Sequence, residues 1–457
     1  MRLRIGNGCG FYGDQLDAPR RLVEAAQLDY LTLEYLAELT LSILARVKEK
    51  DPERGYADDF LHVVRSLESY WVRREMPTVV TNAGGMNPAA CARATGRILS
   101  AAGRGDLSIG VVEGDDISSE LASWLADGVT LDHLDTGEPI SGVLDRLVSA
   151  NVYLGAGPIV EALRQGAEVV ITGRVADASL TVAPARHRFG WDDQEWNLLA
   201  SAAVAGHLIE CGAQVTGGYA TTWQGIDLID VGYPIAELDA DGSVRITKPN
   251  GTGGVVDRRT VSEQLIYEIG DPASYITPDV VVDFTSVSVV ESGPDRVEVC
   301  SARGRPAPSE YKVSAAYRDG YMAAGELVVW GPDAVPKAAA VADIIVERTR
   351  RAGCRLDRVH VENLGRGGSV PGFEEAVGSH EVVLRIAASS SDRASVERFR
   401  REFAPIVTSG PAGVGGYTTP PQRVRPIYAF WPTLIPRERV DARVSVTVRS
   451  AAEWAER

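Results

Sequence analysis

Residues 6–14 read GNGCGFYGD and follow the short apolar start Leu3-Arg4-Ile5. Gly8, Gly10 and Gly13 spell G-x-G-x-x-G, a spacing that lets backbone N–H groups approach a dinucleotide's pyrophosphate. The reading turns on where the next helix begins. Asp17 suits an N-cap and Pro19 a first turn, which predicts a helix starting after Gly13 and not inside the motif. Phe11, Tyr12 and the Asp14 carboxylate then occupy the stretch a pyrophosphate would need. The expected unit is strand, glycine turn, helix, with Gly10, Phe11 and Tyr12 in a site loop for another ligand. A plain glycine corner is the competing reading. Glu34 lies about 20 residues beyond the motif, where a ribose-binding acid would stand, and keeps a dinucleotide-dependent oxidoreductase as the weaker alternative.

The same design recurs in TNAGGMNP (81–88), VVEGDD (111–116) and TGRVADAS (172–179), each after an apolar run. This rhythm predicts an α/β fold: a larger N-terminal domain over residues 1–270, with a mostly parallel sheet covered by helices. In such a sheet the turns gather at the carboxyl ends of the strands, where ligands bind. Composition changes near Asp271-Pro272, and β-rich runs with two interspersed helices predict a smaller C-terminal α+β sandwich domain over residues 271–457. The Gly- and Pro-dense stretch 409–440 is expected to wrap the surface.

Each turn carries chemistry and a plainer alternative. Asn82 can donate to a carbonyl or carboxylate oxygen, and N–H groups at Gly84 and Gly85 can form an oxyanion pocket; an Asn capping its own turn is the alternative. Asp115 and Asp116 are candidate acid–base groups, or ligands for Mg²⁺, the one cofactor the motifs suggest; N-capping would also explain them. Arg174, whose planar fork matches carboxylates and phosphates, is the candidate substrate anchor with Asp177 beside it, unless the two form a structural pair. His207, Glu210 and Cys211 fall at i, i+3, i+4 on a predicted helix, which suits a metal, an acid–base pair or packed core. No ligand spacing for a structural metal is present in the sequence.

Of 457 residues, 47 are basic and 62 acidic, a balance of −15 that disfavours nucleic acid and anionic membranes as partners. Five scattered cysteines without C-x-x-C, and no apolar run long enough for a membrane helix, predict a reducing, cytoplasmic setting. A homo-oligomer is the expected assembly.

Taken together, CGFYGD (9–14), LDYLTLEYLAELTLSIL (28–44), TNAGGMNP, VVEGDD, LGAGPIVEAL (154–163), VITGRVADAS (170–179), GHLIECGAQVTGG (206–218), VGYPIAEL (231–238) and AFWPTLIPRE (429–438) resemble the acyclic terpene utilisation (AtuA-like) family from about Gly6 to Arg439. That family takes its name from bacterial operons degrading citronellol- and geraniol-type isoprenoids through CoA thioesters. The resemblance implies small-molecule metabolism on a branched acyl-CoA or related carboxylate. For this chain the expectation is lyase or hydratase chemistry through an enolate, with Asp116, Asp115, Glu34, Asn82 and His207 as catalytic candidates. Arg174, Asp177, Gly84, Gly85, Gly10, Phe11 and Tyr12 are the candidates for binding substrate. Longer family members carry a small ferredoxin-like domain after the strand at RVSVTVR (443–449), so a separate small ferredoxin-like partner protein, with this chain as its non-catalytic subunit, is the alternative role.

Overall fold

The structure, a computed structural model, describes residues 2–365, 380–416 and 421–457. Its chain divides into two compact units, residues 2–316 with 430–457, and residues 317–429. The composition change at residue 271 falls inside the first unit.

Continuous apolar runs build the centre of the first unit. Strands β1 (Leu3–Asn7), β2 (Tyr30–Leu33), β3 (Thr78–Thr81), β4 (Ser108–Glu113), β5 (Leu147–Val152) and β6 (Val169–Thr172) come first in the chain. β2 and β6 are buried at every position, as expected for strands covered on both faces. They pair in parallel in the order β1-β2-β3-β6-β4. Antiparallel strands complete a ten-stranded sheet. β7 (Ile235–Leu238), β8 (Val244–Thr247), Arg296–Cys300 and Ser288–Gly293 extend it beyond β1, and Ser445–Ser450 pairs with β4 at the other edge. β5 leaves this sheet and pairs with the strand that begins at Glu310.

Helices cover both faces. Ala18–Ala25, Asp59–Ser66, Pro88–Ala101 and Ala451–Ala455 pack on one; Gly157–Arg164, Ser179–Phe189 and Trp196–Ile209 pack on the other. Gly110 on β4 marks the second contact, since a Cβ there would sit 3.0 Å from Ala162 and Ala167. Tyr56–Arg74, which reads as one helix, breaks at Leu67 (φ −102°, ψ 11°) into Asp59–Ser66 and Glu68–Arg73.

In the second unit, Tyr321–Trp330 pairs antiparallel with Glu381–Ser390, which pairs on its other side with Arg358–Leu364. Helices Ala334–Arg351 and Arg393–Arg401 pack onto Glu381–Ser390, around Leu384, Phe399 and Phe403. Of the stretch expected to wrap the surface, residues 417–420 lie outside the described residues. Arg425–Pro436 is a strand of 12 residues and not a loose tail; its alternating apolar positions outweigh its prolines.

Candidate functional site

The parallel strands end side by side, and four of the sequence candidates meet there. Glu34 follows β2, Asn82 follows β3, Asp115 follows β4 and Arg174 follows β6. The buried Asn82 amide donates to Glu34 Oε1, and Asn82 Oδ1 accepts the Tyr35 N–H at 2.8 Å. Glu34 Oε1 also accepts the Leu36 N–H at 2.9 Å and lies 3.9 Å from Arg174 Nη1. Burial, together with the nearby Asp177 charge, drives the Glu34 carboxyl well above its usual range; Arg174 and Asn82 only partly oppose this.

Arg174 is the hub. It is 2% exposed, donates to Leu36 O at 2.7 Å and pairs with Asp177 Oδ1 at 2.8 Å. Its guanidinium lies 4.2 Å from the centroid of the Tyr153 ring. Burial would lower its pKa, but Asp177, Tyr153 and Glu34 outweigh that and hold it charged. Beneath it, Asp115 Oδ2 accepts the Arg174 N–H and the Asn151 amide, each at 2.8 Å. Burial pushes Asp115 up to about 7 against those two hydrogen bonds. Gly173 must be glycine, because a Cβ would clash with the Asp115 carboxylate.

Above Arg174 opens a cleft of about 450 Å³, within the range of ligand pockets. Leu36, Ala176, Ala178, Ile276, Pro278 and Leu434 give it apolar walls. Its polar lining includes Arg174 and Asp177 with Glu38, Tyr153, Lys312 and Tyr275, and Glu268 and Glu310. The Tyr153 hydroxyl donates to Glu38 Oε1, and Lys312 Nζ lies 3.7 Å from the same oxygen and 4.7 Å from the Tyr153 ring centroid. Burial would raise Glu38, yet the Tyr153 hydrogen bond with the Arg174 and Lys312 charges brings it below its ordinary value. Burial raises the Tyr153 phenol, opposed by Arg174. Tyr153 thus sits against two cations with its hydroxyl hydrogen-bonded to a carboxylate.

The other sequence candidates stand elsewhere. Asp116 Oδ1 accepts the Ser118 N–H at 3.0 Å and caps its turn. Gly84 and Gly85 are buried, the Gly85 N–H donates to Asn82 O at 3.1 Å, and a Cβ on Gly84 would clash with Thr172 O. These glycines allow a tight turn and close packing; the oxyanion pocket expected there is not formed. His207 is buried between Gln264 O at 2.9 Å and Glu210 Oε1 at 3.3 Å, with its ring edge to Phe284. Tyr275 packs against it and lines the cleft, whereas His207 does not.

In the opening loop, Asp14 accepts the Gly10 N–H at 2.8 Å and the Tyr233 hydroxyl at 2.7 Å. A carboxylate of the chain itself therefore fills the anion position that a pyrophosphate would use, which argues against the dinucleotide reading. Tyr12 is fastened to Asp58 at 2.5 Å, and Phe11, 59% exposed, lines no part of the cleft. Among the described residues no three His, Cys, Asp or Glu side chains are grouped to hold a metal ion, and Asp115 and Asp116 use their oxygens on the backbone and on Asn151. Among the described residues no helix is long and apolar enough to cross a membrane.

The acyclic terpene utilisation family protein AtuA is matched over residues 3–446, nearly the whole chain. The chain belongs to the AtuA family. No curated protein matches it. A solved structure, prephenate dehydratase from Streptococcus mutans, is similar over 40% of this chain and 69% of that one, at 13% identity and a TM-score of 0.13, a likeness too slight to carry an argument. The AtuA family name ties the chain to acyclic terpene utilisation, and so to metabolism.

Glu38, Tyr153, Lys312 and Tyr275 escaped the sequence reading because no glycine turn marks them. Glu38 opens the helix Glu38–Lys50, and Tyr153 immediately precedes LGAGPIVEAL, so both lie within or beside AtuA-like motifs.

Proposed function

We propose that this chain is an enzyme of small-molecule metabolism that moves protons on a branched acyl thioester or carboxylate, by C–C cleavage or hydration through an enolate. One observation carries the reading: the Tyr153 hydroxyl, inside the cleft, donates a hydrogen bond to the Glu38 carboxylate while the Arg174 and Lys312 cations lie against its ring. In this account Glu38 takes the proton α to the carbonyl. The electrons move onto the carbonyl oxygen, whose charge Lys312 offsets, and the departing group takes the Tyr153 proton; in the hydration direction the arriving water gives its proton to the Tyr153 oxygen and Glu38 returns its proton to the α-carbon. Positioned acid–base groups of this kind contribute about 10²–10⁴-fold to rate. Glu34, Asn82 and Asp115 act by fixing Arg174, which in turn fixes Asp177 and the Tyr153 ring. Asp177, which with Arg174 is a sequence candidate that lines the cleft, is held by Arg174 and faces the substrate space.

The test is incubation with a panel of branched, unsaturated carboxylates and their thioesters, followed by mass spectrometry. The reading expects gain or loss of water, or a defined fragment, for at least one class, and loss of that product with Glu38→Gln. Turnover undiminished in Glu38→Gln would contradict it, as would products that arise only with an added redox cofactor.

A further inference from the structure

The charge on the cleft wall bears on which form of substrate enters. Six charged side chains line it: Glu38, Asp177, Glu268 and Glu310 against Arg174 and Lys312. Arg174 Nη1 is engaged by Leu36 O and Asp177, and the side chain is buried, so it presents little of its charge to an incoming anion. Glu268 and Glu310 are exposed at the mouth, in the path of anything that enters. Among the described residues lining the cleft, Lys312, with its side chain 49% exposed, is the one cation open to solvent. The Tyr153 N–H donates to Lys312 O at 3.0 Å, so strand pairing sets the lysine directly beside the phenol.

Building on the proposed acid–base role, we infer that the cleft takes its substrate as a free branched carboxylate held by Lys312, and not as a phosphate-bearing coenzyme A thioester. A lysine ammonium is a compact point charge suited to one carboxylate. The apolar walls take the branched body. A pyrophosphate and a further phosphate at the mouth would face Glu268 and Glu310, on a chain whose overall balance is −15.

Isothermal titration at low ionic strength decides the matter, with three probes: a branched ten-carbon unsaturated acid, its coenzyme A thioester, and free coenzyme A. The acid is expected to bind at least tenfold more tightly than the thioester, and free coenzyme A not measurably. Lys312→Gln, confirmed folded by circular dichroism, should lose at least tenfold in affinity for the acid. Glu268→Gln with Glu310→Gln should narrow the gap by strengthening the thioester severalfold. Thioester or coenzyme A binding as tight as the acid overturns the inference, as does an acid that fails to bind or a Lys312→Gln variant that binds it unchanged. Turnover of the thioester without acid binding would overturn this inference and leave the acid–base reading standing. Acid binding without any proton transfer would do the reverse.

Discussion

At the scale of single residues, the account rests on a stack of contacts that holds Arg174 under the cleft. Gly173→Ala forces a methyl group into the Asp115 carboxylate, and overpacking of this kind costs roughly 1–3 kcal/mol or more. A clear drop in the denaturant midpoint is expected; an unchanged midpoint would show that the turn yields freely. Asp115 gives a pH signature. Burial raises it to about 7, so the folded chain retains a proton that the unfolded chain releases near 4. Its contribution to stability is therefore full below about pH 4, falls as pH rises, and is lost above 7, with a slope of up to about 1.4 kcal/mol per pH unit for one proton. Both of its hydrogen bonds reach Oδ2, so Asp115→Asn can keep them while removing the titration. Thermal melts from pH 5 to 8 should show the variant gaining on the parent as pH rises. Two parallel curves would contradict the assignment. Much of this stack was legible: Asn82, Asp115 and Arg174 came from the turn motifs, and Glu34 from its spacing beyond the first of them. Their roles were not, because a motif does not say whether a polar group faces a ligand or the backbone of the next turn.

At the scale of elements, the parallel strands and their helices followed from uninterrupted apolar runs bounded by glycine turns. The antiparallel edges did not. Ser445–Ser450 finds its partner in β4, more than 330 residues earlier, and no local pattern encodes such a pairing. Helix starts were easier to read. Asn87 Oδ1 accepts the Ala90 N–H at 3.3 Å at the head of Pro88–Ala101, while its amide donates to Pro52 O at 2.8 Å and Arg54 O at 2.9 Å. Asn87→Ala should cost about 1–2 kcal/mol, the upper part of the range for a lost cap, read as a lower melting temperature. A loss below a few tenths would mean that neither the cap nor the tether matters. In the second unit, Gly325 lies under the Phe403 ring, and a methyl group added there would come within 2.7 Å of the nearest ring atoms. Gly325→Ala should weaken amide protection in residues 317–429 foremost. Equal loss throughout the first unit would contradict the separate cores.

At the scale of the whole molecule, membership of the AtuA family ties the chain to metabolism, and a cleft opens at the carboxyl ends of its parallel strands. The cleft draws on segments far apart in the chain: the helix at Glu38, the end of β5 at Tyr153, the short strand Tyr275–Ile276 and the strand at Lys312. That dispersal is why the catalytic pair proposed here was invisible in the sequence while its scaffold was not. The most direct check is solvent deuterium incorporation into a branched carboxylate or thioester, followed by mass spectrometry with the parent chain and with Glu38→Gln. Incorporation by the parent, falling by about 10²–10⁴-fold in Glu38→Gln at an unchanged melting temperature, is the predicted result. Equal incorporation by the two proteins would contradict the claim that this cleft is an acid–base site built on Glu38 and Tyr153.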